Sequence, residues 1–462
     1  MPSYRRPAAP VPAQFPRRVV PAAAPTAAQS AATPPSPAAP AAELPVRDFF
    51  ADPQLQGLLQ LALQNNRDLR VAVLNVAQSR AQYRISRAAL LPTVQGSAGF
   101  TREATSLGAQ VPGLASDATL ISSLWSASVG ISSYELDLFG AVRSQTVQAL
   151  EQYFATEEAQ RAARVSLVGE LATQYFTLRA AQEQLKLAQD TLDSVRGSYE
   201  LNRATFAAGA SNELDLRQAQ GQVETAQLAI RTYQLQIAQA SDALQLLLGA
   251  PLPGAPPAPL PFDEPHMMRA IPAGLPSDLL EQRPDILEAE HTLKAANADI
   301  GVARAELFPT ISLTSSIGTI GPQLSALFKA GSGQWSFAPQ INLPIFTGGR
   351  NRAQLKAARV GERIQVANYE KAIQSAFREV ADALAETDNY AQQVSLEAAL
   401  VLTERRRLEL ATLRYQHGED SYLNELTAQQ DLYGAQQGLL QARFNRLTSQ
   451  VALYQALGGG WK

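Results

Sequence analysis

The chain has 462 residues, 46% of them hydrophobic, and a formal net charge of −3 at pH 7. Because no basic stretch stands out, a nucleic-acid partner has little support. The sequence has no cysteine, which excludes disulfides, thiol nucleophiles and cysteine metal clusters, and its three histidines are scattered without ligand spacing. We expect neither a cofactor nor a metal site. No apolar run reaches the roughly 18 residues that would predict a transmembrane helix.

The N-terminal part of the chain predicts a tether followed by a helix. Residues 1–48 are rich in proline and alanine, which is typical of an extended tether, and a disordered tail is the alternative for residues 22–42. A helix is predicted over residues 49–91, with Asp52 as its N-cap and Pro53 in its first turn.

Two strands are predicted next, over residues 93–101 and 125–137, because apolar and polar residues alternate there. The intervening residues 102–123 contain Gly, Ser and Pro and predict a loop. Strands of about ten alternating residues are what a transmembrane β-barrel uses, so the absence of an apolar helix does not exclude a membrane.

A long helix is predicted over residues 141–206. It carries an apolar heptad, which indicates a coiled-coil surface on a rod of roughly 90 Å. Gly209 suits the C-terminal cap, Ser211 or Asn212 suits the next N-cap, and a return helix runs to residue 248. The heptad residues are Leu171, Leu178, Leu185, Leu192, Tyr199 and Phe206.

The second half repeats the first. After a proline-rich connection at residues 251–276, the same order of elements is predicted again, and Gly418 takes the place of Gly209. We therefore expect two repeats, at residues 49–250 and 277–462. The predicted elements of the second repeat are a helix at 277–308, strands at 310–319 and 334–344 around a loop at 320–333, a helix from 351, and a return helix to 457.

Four strands per chain cannot close a barrel, and lipid does not tolerate open sheet edges. Three copies would supply twelve strands, enough to enclose a water-filled lumen. We expect the polar face to line that lumen and Trp335, Phe337 and Ile341 to face lipid. The alternative is a soluble antiparallel sheet packed on helices. The expected lumen residues are Ser312, Thr314, Ser316, Gln340 and Asn342.

If three chains close one barrel, their helical hairpins can also form a tube that continues the lumen of the barrel. No phosphate-binding loop and no catalytic constellation is present, so we expect a passive duct and not an enzyme.

Several motifs resemble TolC-type outer membrane efflux channels, most closely their OprM-like lipoprotein branch. These motifs are Pro2-Ser3-Tyr4-Arg5-Arg6-Pro7, Ser133-Tyr134-Glu135-Leu136-Asp137-Leu138-Phe139-Gly140, Arg283-Pro284-Asp285-Ile286, Leu307-Phe308-Pro309-Thr310-Ile311-Ser312-Leu313 and Ala456-Leu457-Gly458-Gly459-Gly460.

The resemblance implies an internally duplicated α+β membrane protein that forms a homotrimer. It would combine a long α-helical coiled-coil barrel, extending into the periplasm, with a transmembrane β-barrel in the lipid of the Gram-negative outer membrane. It further implies the exit duct of a tripartite multidrug efflux system, which docks to a periplasmic adaptor and an inner-membrane RND-type pump.

Two alternatives remain at this point: the outer membrane duct of a type I protein secretion system, and a soluble coiled-coil scaffold. The branch also carries a lipid-bearing cysteine a few residues before the motif at Pro2. Met1 stands there in this sequence, and we expect the natural precursor to carry a signal peptide and that cysteine.

In this family the periplasmic end closes at the hairpin tips, which map onto Asp215 and Tyr415 and onto residues 423–427. TolC-like members place two acidic residues one turn apart at the constriction, whereas Asn424 and Thr427 occupy those positions here. We expect Leu423 to form an apolar constriction instead, with Glu419, Asp420 and Glu425 supplying negative charge nearby. The alternative for Asp215 and Tyr415 is an ordinary hydrogen bond or seam contact.

Overall fold

The computed structural model describes residues 2–12, 45–106, 119–254, 260–269 and 282–459. Most of the predicted tether, much of the first inter-strand loop and parts of the 251–276 connection lie outside these ranges. The helices are α1 Val46–Phe49, α2 Pro53–Asn65, α3 Arg67–Ala88, α4 Ala141–Ala207, α5 Glu213–Leu248, α6 Glu264–Met267, α7 Pro284–Ala305, α8 Arg350–Gln416 and α9 Tyr422–Ala456. The strands are β1 Val94–Ser106, β2 Thr119–Glu135, β3 Thr310–Gly321 and β4 Gly333–Asn342, and a 3-10 turn lies at Leu324–Ala326.

The internal duplication is confirmed at the level of elements. Each half contains a helix, two strands, a very long helix and a return helix. The long helices α4 and α8 both have 67 residues, and the return helices α5 and α9 have 36 and 35. Gly209 and Gly418 adopt the same positive φ of 71° at the two hairpin turns, a conformation that favours glycine.

The prediction of one continuous helix over residues 49–91 is wrong, because the helix is interrupted at Asn66, between α2 and α3. The Asn66 side chain accepts the N–H of Leu69 at 2.8 Å, which caps α3, and donates to the carbonyl of Leu247 at 2.8 Å. Asp52 caps α2 as predicted, since it accepts the N–H of Gln54 at 2.8 Å.

Arg283 fills the equivalent position in the second repeat. It directly precedes α7, which begins at Pro284 and not at the predicted residue 277. Residues 277–281 lie outside the described ranges. The Arg283 guanidinium donates to the carbonyl of Ala456 at 2.8 Å, the counterpart of Leu247, and also binds Asp285 and Glu379. The duplication therefore extends to a hydrogen bond that ties the start of one helix to the end of the return helix.

The first two strands are longer than predicted. Their antiparallel pairing continues from Val94 opposite Ile131 to Ser106 opposite Thr119, so strand replaces both ends of the predicted loop. Apolar and polar residues no longer alternate regularly in this added part of the two strands. The hydrogen bonds between the strands join backbone groups, so they do not require that alternation.

All four strands form one antiparallel sheet in the order β1-β2-β3-β4, which leaves β1 and β4 at its two edges. The register between β2 and β3 shifts between Ile131 and Tyr134, where Ser133 has a φ of 58°. Such a bulge bends a strand and increases its twist.

By compactness the chain divides into two units. The strand unit comprises the first residues up to Pro7, Val76–Thr156 and Ala289–Tyr369. The hairpin unit comprises Ala8–Asn75, Glu157–Glu288 and Glu370–Lys462. Among the described residues, no helix is both long enough and apolar enough to cross a membrane.

The hairpin unit has an apolar core to which the 251–276 connection contributes, so this connection is not irregular throughout. It contains α6, its Met267 is buried, and Met268 pairs as a β-bridge with Phe50. Phe49 stacks on Tyr454 with ring centroids 4.1 Å apart.

In the strand unit, the start of the chain is bound to α7. Tyr4 donates to the buried carboxylate of Glu290 at 3.3 Å, Arg6 forms an ion pair with it, and Lys294 lies 3.1 Å away. Burial opposes ionisation of Glu290, but hydrogen bonds from the two cations hold its pKa below the ordinary value. The carbonyl of Pro2 accepts from Asn297 at 3.2 Å.

Candidate functional site: the sheet face and the hairpin tips

The strand register places the expected lumen residues on one face of the sheet. Residues opposite one another in an antiparallel pair point to the same side. Ser312 lies opposite Gln340, Thr310 opposite Asn342, and Ser316 opposite Ser336, with 2.7 Å between the last two hydroxyl oxygens. Across β1 and β2, Ser97 and Ser128 make a similar hydroxyl contact at 2.9 Å.

The other face of the sheet is apolar and exposed. Trp335 and Phe337, on β4, expose 77% and 60% of their surface, and Ile317, opposite Trp335, is equally open. A continuous exposed face of large apolar residues calls for an apolar environment. The sheet thus has one polar and one apolar face.

Two glycines make the polar face concave where β2 meets β3. A Cβ on Gly130 would lie 2.3 Å from the carbonyl oxygen of Ser315 and 2.8 Å from the Cβ of Ser316. A Cβ on Gly318 would likewise lie 2.3 Å from the carbonyl oxygen of Ala127. Opposing Cβ atoms in a sheet are normally about 4.5–5.5 Å apart. The strands therefore fold toward each other on the polar side, as the inner wall of a tube requires.

In the hairpin unit, the structure gives Asp215 a capping role. Asn212 is the N-cap of α5: its side chain accepts the N–H of Asp215 at 2.9 Å and donates to the Asp215 carboxylate at 3.0 Å. This reciprocal pair gives a hydrogen-bond acceptor to one of the backbone N–H groups that the first turn of α5 leaves unpaired.

Tyr415, which the resemblance maps to the second hairpin tip, binds a residue of the other hairpin. Its hydroxyl donates to the buried side chain of Asn202 on α4 at 3.1 Å. Burial, followed by the nearby charges of Asp215 and Glu425, raises the Tyr415 pKa. The charge of Asp215 therefore affects the Tyr415 hydroxyl. The hydrogen bond of that hydroxyl, however, is with Asn202, and it joins the α8–α9 hairpin to the α4–α5 hairpin.

Leu423, Asn424 and Thr427 lie together at the start of α9. Leu423 exposes 53% of its surface, and the Thr427 hydroxyl donates back to the Leu423 carbonyl at 2.8 Å. Asn424 binds Asp420, which also lies 3.3 Å from Arg414. The hydrogen bond from Asn424, with help from the Ser421 N–H, lowers the pKa of Asp420. The exposed Leu423 thus lies beside an ionised carboxylate that is paired with Arg414.

Glu425 does not supply surface charge beside Leu423, as the sequence had suggested, because it is only 6% exposed. The Thr412 hydroxyl donates to it at 3.0 Å. Burial raises the pKa of this carboxyl, and the hydrogen bond from Thr412 offsets the rise in part. The neighbouring Tyr422 hydroxyl has a pKa raised to about 12, first by burial and then by the charge of Glu425.

Sequence reasoning missed Asn202, Thr412 and the burial of Glu425. One signal for Glu425 was available: α9 buries Tyr422, Leu426 and Ala428, and helical spacing places residue 425 on the same side as Tyr422. A carboxyl in that position predicts a buried acid.

The comparisons with known proteins agree with these features. The model of the outer membrane efflux protein family matches residues 58–250 and 275–459. The probable efflux pump outer membrane protein TtgC of Pseudomonas putida is 45% identical over 461 residues, covering 100% of this chain and 92% of the relative. The cation efflux system protein CusC of Escherichia coli is 42% identical over 417 residues, covering 90% and 88%.

Solved structures agree as well. A CusC crystal structure has a TM-score of 0.86 at 40% identity and covers 99% of both chains. The open state of the MtrE outer membrane channel of Neisseria gonorrhoeae has a TM-score of 0.87 at 37% identity and covers 100% of this chain and 98% of that one. The chain belongs to the outer membrane efflux protein family, and it is an outer membrane component of an efflux pump.

Proposed function

We propose that three copies of this chain form the exit duct of a tripartite efflux system, passively conducting small toxic compounds from a pump and its adaptor to the outside. The observation that carries the proposal is the sheet: its polar face is concave, its apolar face is exposed, and its edge strands β1 and β4 each pair on one side only among the described residues. Three such sheets joined edge to edge make a twelve-stranded barrel with a wet interior.

The duct itself is proposed not to select its cargo. Relatives that are 42–45% identical to this chain are named for antibiotic, toluene and cation efflux. These cargoes share little chemistry, so selection belongs to an inner-membrane pump, commonly of the RND class, reached through a periplasmic adaptor. The names of these relatives favour efflux over protein secretion.

The tips of the two hairpins are proposed to close the periplasmic end. Leu423, with Asn424 and Thr427 beside it, would meet its symmetry copies in an apolar constriction. The hydrogen bond from Tyr415 to Asn202 would hold the α8–α9 hairpin to the α4–α5 hairpin, and Asp215 would stabilise the first turn of α5.

A cysteine-modification experiment tests the proposed barrel. Because the sequence has no cysteine, a single Ser316→Cys or Ile317→Cys variant carries one thiol per chain. These neighbours point to opposite faces, so a charged, water-soluble thiol reagent should reduce the conductance of Ser316→Cys channels in a planar bilayer and leave that of Ile317→Cys unchanged. The mass of the detergent-solubilised protein should be that of a trimer. Block of the Ile317→Cys channel alone would refute the face assignment, and a monomer without current would refute the duct.

A further inference from the structure

The loop between β3 and β4 carries an apolar surface that the duct does not use. The loop is compact: the Ser332 hydroxyl donates to the carbonyls of Leu327 and Lys329 at 2.7 and 2.8 Å, and Leu327 is buried. Leu324 and Phe328 nevertheless point outward, with 58% and 80% of their surface exposed. The loop therefore has an ordered conformation that exposes two large apolar side chains.

This loop leans over the apolar face of the sheet. Gly321 lies opposite Trp125 in the register, on the same face as Ile317 and Trp335. A Cβ on Gly321 would lie 3.3 Å from the carbonyl carbon of Ala326, within the 3-10 turn. The turn that carries Leu324 thus covers the outer end of the face proposed to contact lipid, and not the polar face.

The aromatic residues beneath the turn fit the boundary of a bilayer. Phe100 and Trp125 lie opposite one another with ring centroids 4.6 Å apart, and Trp125 pairs with Gly321, the last residue of β3 before the turn. Aromatic side chains concentrate at the membrane–water interface, where one end is apolar and the other wet. Lys329, next to Phe328, is exposed, and among the described residues it has no acidic partner.

A second copy of the chain is a less suitable occupant. The turn contacts β3, a central strand, whereas copies would join at the edge strands β1 and β4. We propose that Leu324 and Phe328 insert into the outer leaflet of the outer membrane at the boundary between acyl chains and headgroups, with Lys329 at the level of the phosphates. This proposal rests on the proposed function, because it extends the lipid-facing surface of the barrel onto a loop.

Lipid quenching at single cysteines tests the proposal. The variants Leu324→Cys and Phe328→Cys are labelled with a polarity-sensitive fluorophore and reconstituted in phosphatidylcholine–phosphatidylglycerol vesicles, with and without lipid bearing a nitroxide near the headgroup. Both labels should lose most of their fluorescence to the nitroxide lipid. Leu423→Cys is a matched control, since Leu423 is a similarly exposed leucine at a hairpin tip; its label should not be quenched.

The Ile317→Cys variant separates the two proposals. Quenching at residue 317 without quenching at 324 and 328 would overturn the loop insertion and leave the barrel intact. Absence of quenching at 317 as well would overturn both. Disulfide dimers formed by unlabelled Phe328→Cys would identify a second copy as the occupant and likewise refute insertion in lipid.

Discussion

At the scale of single residues, Arg283 shows how one side chain fastens three helices of the hairpin unit. It is buried and binds the end of α9, Glu379 on α8 and Asp285 on α7. We predict that Arg283→Ala lowers the free energy of unfolding by about 2–4 kcal/mol, because a buried carbonyl and two acids lose their partner. Urea unfolding in detergent measures this loss.

Arg378→Ala is the matched control for Arg283. Its guanidinium is exposed and only reaches Asp382 at 3.9 Å. The control should change stability by no more than about 0.5 kcal/mol. Equal losses in the two variants would mean that Arg283 acts as a surface charge and does not fasten the helices.

Glu425 gives a prediction for pH dependence. Its pKa is raised in the folded protein, so the folded state binds a proton more readily than the unfolded state. The carboxyl lies near Thr412 and Tyr415 on α8 and Tyr422 on α9, and Asp215 on α5 acts on the same tyrosines. The contribution of Glu425 to stability should therefore be fully present below the ordinary pKa of 4.5 and be lost as the pH rises through the raised value.

The test compares Glu425→Gln with the parent chain. Glutamine resembles the protonated acid, so the variant should be more stable than the parent near pH 8, and the difference should shrink as the pH approaches 4.5. Glu419→Gln, at an exposed tip position, should show no such trend. A difference that does not vary with pH would exclude ionisation of Glu425 as the cause.

At the scale of elements, the curvature of the sheet depends on glycines in β2 and β3. We predict that Gly130→Ala destabilises the strand unit by about 1–3 kcal/mol, since the new methyl group meets backbone atoms that cannot move aside. Gly96→Ala, on β1 and with nothing within 4 Å of its Cβ, should be nearly neutral. Thermal stability and trimer yield measure both. A tolerated Gly130→Ala would mean that the strands can flatten, and would weaken the assignment of the concave face to the lumen.

The elements also show which features of the fold a sequence can predict. The long helices, their glycine turns and the two sheet faces were predictable, because each repeats a local pattern over many residues. The break at Asn66 was not, because its side chain bonds to Leu247, 181 residues away. The contact between Tyr415 and Asn202 spans 213 residues and likewise leaves no local pattern. The resemblance identified the residues at the hairpin tips. Their hydrogen-bond partners could be identified only from the structure.

At the scale of the whole molecule, the internal duplication gives two hairpins whose tips differ, and we propose that the apolar constriction at Leu423 lies at the second tip. Both hairpins turn at a glycine with the same φ, yet their first turns differ. In α5 the first turn is capped by the side chain of Asn212, whereas Ser421 at the start of α9 makes no side-chain cap. The two tips are thus held by different side chains: Asn212 caps the α4–α5 tip, whereas in the α8–α9 tip Asp420 binds both Arg414 and Asn424.

The proposed apolar constriction predicts the effect of charge at Leu423. In a closed trimer, three Leu423→Asp side chains would repel one another in a narrow apolar ring, so single-channel conductance in a planar bilayer should rise and become more cation-selective. Leu396→Asp is the control, because Leu396 is also an exposed leucine of α8–α9 but lies some 20 residues before the turn. Its conductance should match that of the parent chain. If Leu423→Asp leaves both conductance and selectivity unchanged while Leu396→Asp alters them, the constriction lies higher on the hairpin, and the apolar ring at the tip must be abandoned.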